Sequence, residues 1–83
     1  MFEFDIKKPA DIEETLKTVE YKIKSSGGTF SGNTHSGSFS SSKGDIEGTY
    51  VASNDNIKIT ILKKPLIYPD AIIEFKIRDY FEQ

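Results

Sequence analysis

Residues Asp45 to Lys63 read DIEGTYVASNDNIKITILK, and their pattern decides the fold. Asn54-Asp55 is a two-residue loop of types that tolerate the backbone of a tight hairpin, with alternating segments on both sides. Pairing Ser53 with Asn56 sets Ala52 opposite Ile57, Tyr50 opposite Ile59, Gly48 opposite Ile61 and Ile46 opposite Lys63. One face then carries Ile46, Gly48, Tyr50, Ala52, Ile57, Ile59 and Ile61, and the other Asp45, Glu47, Thr49, Val51, Lys58, Thr60 and Leu62. A one-residue slip would turn the isoleucines to water, so burial fixes the register.

Working backwards, residues 25 to 44 hold eight Ser, five Gly and two Thr, the composition of a flexible linker. Two aromatics argue for strands instead. A tight loop at Lys43-Gly44 pairs Ser42 with Asp45 and brings Phe39 opposite Gly48 and Gly37 opposite Tyr50. Carrying the register through a turn at Asn33-Thr34-His35-Ser36 places Phe30 opposite Phe39 and Gly32 opposite Gly37. One cross-strand row reads Phe30, Phe39, Gly48, Ile61, and the next reads Gly32, Gly37, Tyr50, Ile59. Large side chains meet each other or cover glycine, the pairing expected of an ordered meander.

Upstream, Phe2, Phe4 and Ile6 alternate with Glu3, Asp5 and Lys7, a strand with one buried face. Ile12, Leu16, Val19 and Ile23 form one stripe on a helix, which Asp11 caps with Glu14 three residues on and Gly27-Gly28 ends. Its acids come early and its lysines late, matching the helix dipole. Downstream, Pro65 and Pro69 break the last strand. Ala71-Ile72-Ile73-Glu74-Phe75-Lys76-Ile77 fits two periods: Ile73, Phe75 and Ile77 suit a strand, whereas Ile73, Ile77, Tyr80 and Phe81 suit a helix. Length and the preceding Pro-Asp favour a helix across 70–83. The expectation is one α+β domain over residues 1–83, in the order β-α-β-β-β-β-α. Its five-stranded antiparallel sheet runs 1-5-4-3-2, with both helices on the isoleucine-tyrosine face.

Eighty-three residues with 36% hydrophobic content support one small core and no deep, separately walled site. A formal charge of -2 gives no basic field for a phosphate backbone, so nucleic acid is not an expected partner. With no cysteine and one histidine, thiolate and paired-histidine metal sites are absent. Apolar runs such as Ala71-Ile72-Ile73 fall far short of the roughly 20 residues of a spanning helix. The acidic start Met1-Phe2-Glu3-Phe4-Asp5 does not read as a signal peptide, so the expected location is cytoplasmic.

Catalytic patterns lack their context. His35 sits at a hairpin tip with no nucleophile and orienting group around it. Ser40-Ser41-Ser42-Lys43 matches an S-x-x-K string but lies at a strand end in too short a chain. Gly27-Gly28-Thr29-Phe30-Ser31-Gly32 follows a helix rather than a strand and lacks the Gly-Lys ending of a phosphate loop. Asn54-Asp55-Asn56 lacks the glycine and distant glutamate of a calcium loop, and Asp45 with Glu47 reads as a solvated, charge-balanced face. No cofactor and no metal are expected.

The arrangement Gly28-Thr29-Phe30-Ser31-Gly32-Asn33, Gly37-Ser38-Phe39, Gly44-Asp45-Ile46-Glu47-Gly48 and Asn56-Ile57-Lys58-Ile59-Thr60-Ile61, with a Pro-containing link to a terminal amphipathic segment, resembles the polyhydroxyalkanoic acid system proteins, a family of small bacterial proteins. The similarity spans most of the chain and implies a fold more than a mechanism. Family members often carry an aromatic, glycine and acid where this chain has Phe30 to Asn33, and a more basic first helix. The order of elements is also similar to a shortened helix-grip domain of the lipid-transfer and cyclase superfamily, which implies an apolar ligand.

The leading functional expectation is a non-enzymatic binding or accessory module that meets a protein partner. The alternative is a carrier or minor enzyme that holds a small apolar ligand in a cleft between sheet and helices. Phe30, Gly32, Gly37, Phe39 and Tyr50 are the candidate ligand-binding residues, because three glycines on the helix-facing side thin the sheet. The second strand, Thr29 to Gly32, is an edge without charges or proline, so the chain is expected as a monomer or as a homodimer joined through that edge.

Overall fold

The computed structural model describes residues 1–82. Strands β1 (Phe2–Lys7), β2 (Thr29–Gly32), β3 (Ser36–Ser40), β4 (Glu47–Ala52) and β5 (Asn56–Lys63) form one antiparallel sheet in the order β1-β5-β4-β3-β2. Helices α1 (Ile12–Ser25) and α2 (Asp70–Phe81) supply Leu16, Val19, Ile23, Ile73, Ile77 and Phe81 to a single core with Ile6, Phe39, Tyr50 and Ile57, Ile59, Ile61 of the sheet. Both helices therefore cover one sheet face. This is the α+β architecture and strand order expected from the sequence; of the segment expected as the last helix, Gln83 lies outside the described residues.

The central register agrees with the hairpin reading. Tyr50 pairs with Ile59, Gly48 with Ile61, Phe39 with Gly48 and Phe30 with Phe39. β1 closes the other side, with Phe4 opposite Ile59 and Ile6 opposite Ile57. Asp11 caps α1 by accepting the Glu14 amide at 3.1 Å. At the far end Gly27 takes φ +92°, Gly28 N–H reaches Ile23 O at 2.9 Å and Gly27 N–H reaches Lys24 O at 3.0 Å. Those two bonds satisfy carbonyls that the end of a helix would leave open, and the left-handed backbone they require suits glycine.

Two details differ from the sequence reading. Ser42 and Asp45 do not form a tight pair around Lys43-Gly44. Ladder pairing ends at Ser40 opposite Glu47, and the loop is closed by Ser41 N–H to Ile46 O at 2.9 Å, with an inner turn from Gly44 N–H to Ser41 O at 2.9 Å. The cause is a side-chain capture: the Ser41 hydroxyl donates to Asp45 Oδ1 at 2.6 Å and accepts the Ile46 amide at 3.1 Å, an arrangement that competes with continued ladder pairing. The second difference follows at the same end of the sheet. Lys63 pairs with Glu47 rather than Ile46, because a bulge between Glu47 and Gly48 sets an extra residue, Leu62, against that step.

The α2 start carries no side-chain cap. Pro69 holds the capping position with extended backbone and no side-chain bond, and its carbonyl accepts the Ile72 amide at 3.1 Å. Asp70 instead opens the helix and pairs with Lys64 at 3.3 Å.

Candidate functional site

The candidate residues Phe30, Gly32, Gly37 and Tyr50 meet in one aromatic layer. The Tyr50 ring stacks on Phe30 at 5.7 Å between centroids and meets Phe81 edge-on at 6.5 Å. It lies directly over Gly37, where an added Cβ would collide with ring atoms Cε1 and Cζ. Phe39 treats Gly48 the same way, its Cζ standing 2.5 Å from where a Cβ would be. The room that the glycines open is thus filled by two rings of the sheet itself. What remains beside Phe30, Gly32 and Tyr50 is an open hollow of about 140 Å³, rimmed by Glu13, Lys17 and Glu20. Phe39 lines a different cavity, at the other end of the helix layer.

Tyr50 is fully buried, and its hydroxyl donates to Asn33 O at 2.7 Å. Burial, with a smaller contribution from the nearby Glu20 carboxylate, raises its pKa above the ordinary 10.0. The sign is definite. Below pH 10 both folded and unfolded chains hold the phenol proton; above it the unfolded chain loses that proton first, so stability falls as pH rises through the folded value. Tyr50→Phe is expected to cost about 1 kcal/mol at neutral pH for the lost hydrogen bond. In thermal melts repeated above pH 10, the gap between variant and wild type should close, because the variant has no phenol to ionise. A gap that stays constant across that range would place the Tyr50 hydroxyl in water.

A second feature lies on the outside. Leu66, Ile67, Tyr68, Ile72 and Phe75 are 97%, 81%, 44%, 56% and 75% exposed. They belong to the β5–α2 connection and the first half of α2, and they sit on a fixed scaffold. Tyr68 N–H closes a turn on Pro65 O at 3.2 Å, and Lys64 Nζ donates to Tyr68 O at 2.8 Å while also pairing with Asp70 at 3.3 Å. Prolines at both ends of Leu66-Ile67-Tyr68 restrict the connection further. α2 is consequently apolar on two sides: Ile73, Ile77 and Phe81 face the core, and Ile72 and Phe75 face water.

The site reading of the sequence passed over this ridge. Its signal was nevertheless present, since a helix that buries Ile73, Ile77 and Phe81 must turn Ile72 and Phe75 away. His35 is exposed in the β2–β3 turn, where Asn33 Oδ1 accepts its backbone amide at 2.8 Å. Ser41 and Asp45 are committed to closing the β3–β4 loop. Among the described residues no group of three or more His, Asp or Glu side chains could hold a metal ion. No helix among them is long and apolar enough to cross a membrane. Compared with known proteins, the chain matches no family model, no curated protein and no solved structure.

Proposed function

We propose that this chain is a non-enzymatic binding module that docks on a protein partner through the ridge Leu66, Ile67, Tyr68, Ile72 and Phe75. The observation that carries this reading is the exposure of these five large side chains on an anchored connection and helix. Scattered single apolar residues on a surface are ordinary, whereas five large exposed ones within Leu66 to Phe75 favour a surface that loses water on association. Tyr68 and Phe75 are of the aromatic type that dominates binding energy at interfaces. Holding the ridge in place before binding lowers the ordering cost of docking.

A protein surface suits the ridge better than an anionic bilayer. Lys64 and Arg78 are held in ion pairs by Asp70 and Glu74, which leaves Lys76 as a single basic residue of α2 in no ion pair among the described residues, and the chain carries a formal -2. Surface attraction of bilayers relies on clustered unpaired basic residues.

The test compares affinity capture from the native host by the wild type and by Leu66→Ser/Phe75→Ser, with circular dichroism to show that the variant is folded. The expected outcome is a protein retained by the wild type and lost, by tenfold or more in yield, from the variant; about 1.4 kcal/mol of binding energy corresponds to that factor. Identical capture by both would contradict the ridge. A second copy of this chain as the retained protein would make the partner a homodimer.

A further inference from the structure

A cavity of about 180 Å³ opens at one end of the helix layer, among the end of α1, the β3–β4 loop and α2. Ile23, Phe39, Ile46 and Ile77 give it an apolar wall, and Ser42 and Tyr80 stand among its remaining lining residues. Two ammonium groups approach the Tyr80 ring. Lys22 of α1 and Lys76 of α2 each lie 6.0 Å from its centroid, and Lys76 itself lines the cavity. Neither lysine forms an ion pair among the described residues, whereas Lys17, Lys24 and Arg78 on the same helices do. Asp45, the residue before Ile46 of the cavity wall, is engaged by the Ser41 hydroxyl at 2.6 Å.

We infer that this cavity binds a small amphipathic monocarboxylate, with its hydrocarbon body among Ile23, Phe39, Ile46 and Ile77 and its carboxylate beside Lys22 and Lys76. Volume sets the body. An apolar cavity of about 150 Å³ holds benzene, so a chain of about six to eight carbons fits here, and a full-length lipid does not. Charge sets the head. Lys76 lines the apolar hole and Lys22 reaches the Tyr80 ring that also lines it, neither in an ion pair among the described residues, and such a setting favours a ligand that is anionic at one end and apolar at the other. A phosphate is the poorer match. Phosphate sites draw on several backbone amides at a helix start, and neither helix start lines this cavity.

The inference is independent of docking through the ridge, and its test keeps the two apart. Isotope-labelled full-length chain is titrated with octanoate, with octanol as the neutral counterpart and acetate as the head alone, while backbone and methyl resonances are followed. Octanoate should give saturable shifts at Ile23, Ile46 and Ile77. Octanol should move the same residues with roughly five- to tenfold weaker affinity, the scale of two partly exposed charge contacts, and acetate should move none. Lys22→Gln/Lys76→Gln lies on the surface and should lower octanoate to the octanol level. Ile46→Trp fills the cavity and should abolish both, whereas Leu66→Ser/Phe75→Ser should leave octanoate binding unchanged. Absence of saturable shifts in the wild type, equal affinity for octanoate and octanol, or loss of binding in the ridge variant each overturns the assignment. A misfolded Ile46→Trp leaves the decision to the lysine pair and the octanol comparison, which do not depend on it.

Discussion

Tyr50→Ala is expected to remove about 3–5 kcal/mol of folding stability, the scale of deleting a fully buried aromatic side chain. Three features place it at that scale. Tyr50 has no exposed surface, stacks on Phe30 and meets Phe81, so its removal strips contacts from the sheet and from α2 together. Its hydroxyl also ties β4 to Asn33 in the β2–β3 turn at 2.7 Å. Finally, the space it vacates is floored by Gly37, which has no side chain to fill it. Domains of this kind are stable by only about 5–15 kcal/mol, so the variant would be close to unfolding at body temperature. A thermal melt reads the effect at roughly 4–8 °C per kcal/mol for a chain of this size. A fall below about 1 kcal/mol would show that Tyr50 does not carry the β2–β3–β4 layer.

Gly48→Val should destabilise by about 1–3 kcal/mol or more, although valine is by preference the better strand residue. The opposing signs make the experiment informative. On an open strand face the substitution would gain up to about 1 kcal/mol from strand propensity. Here the first added carbon would stand 2.5 Å from Phe39 Cζ, 2.9 Å from Phe39 Cε2 and 3.1 Å from Thr60 O. Phe39 is buried in the core and the Thr60 carbonyl is fixed backbone, so the added side chain has to displace one of them. A lowered melting midpoint confirms a glycine covered by an aromatic ring; an unchanged or raised one would mean that Gly48 does not lie under Phe39.

These same residues show why the sheet was legible in the sequence. Burial of one face made each alternate position informative, so Ile57, Ile59 and Ile61 fixed the β4–β5 register and the glycine-aromatic rows extended it through a segment whose composition resembles a linker. The Ile12 to Ile23 stripe and its end signals located α1 for the same reason: each is a local pattern with a local physical cause. The β3–β4 loop was not legible because its shape is set by the Ser41 hydroxyl, which engages both Asp45 and the Ile46 amide, and residue types alone do not say which of several serines an aspartate will engage. The Leu62 bulge accompanies that closure.

The candidate site was legible only in part. Three glycines on one face, Gly32, Gly37 and Gly48, mark close approach, and what approaches them includes Tyr50 and Phe39. The larger apolar hollow lies farther along, where Ser41 and Ser42 line it beside Ile46. The ridge was hidden by the double period of residues 71 to 77. Apolar side chains intended for two different surfaces produce a helix signal and a strand signal at once, and the strand pattern turns Phe75 to the same side as Ile73 and Ile77 whereas the helix pattern does not. Exposure of Ile72 and Phe75 beside burial of Ile73 and Ile77 resolves the overlap.

The central claim, that a protein partner sits on the ridge, is tested most directly by site-specific photo-crosslinking in the native host. A benzophenone amino acid replaces Phe75, which is 75% exposed on α2, and in a parallel strain replaces Val51, which is 56% exposed on the opposite face of the sheet. The predicted result is a discrete protein adduct from position 75, absent from position 51 and suppressed when Leu66→Ser is added. No adduct at position 75, or the same adducts from both positions, would contradict it.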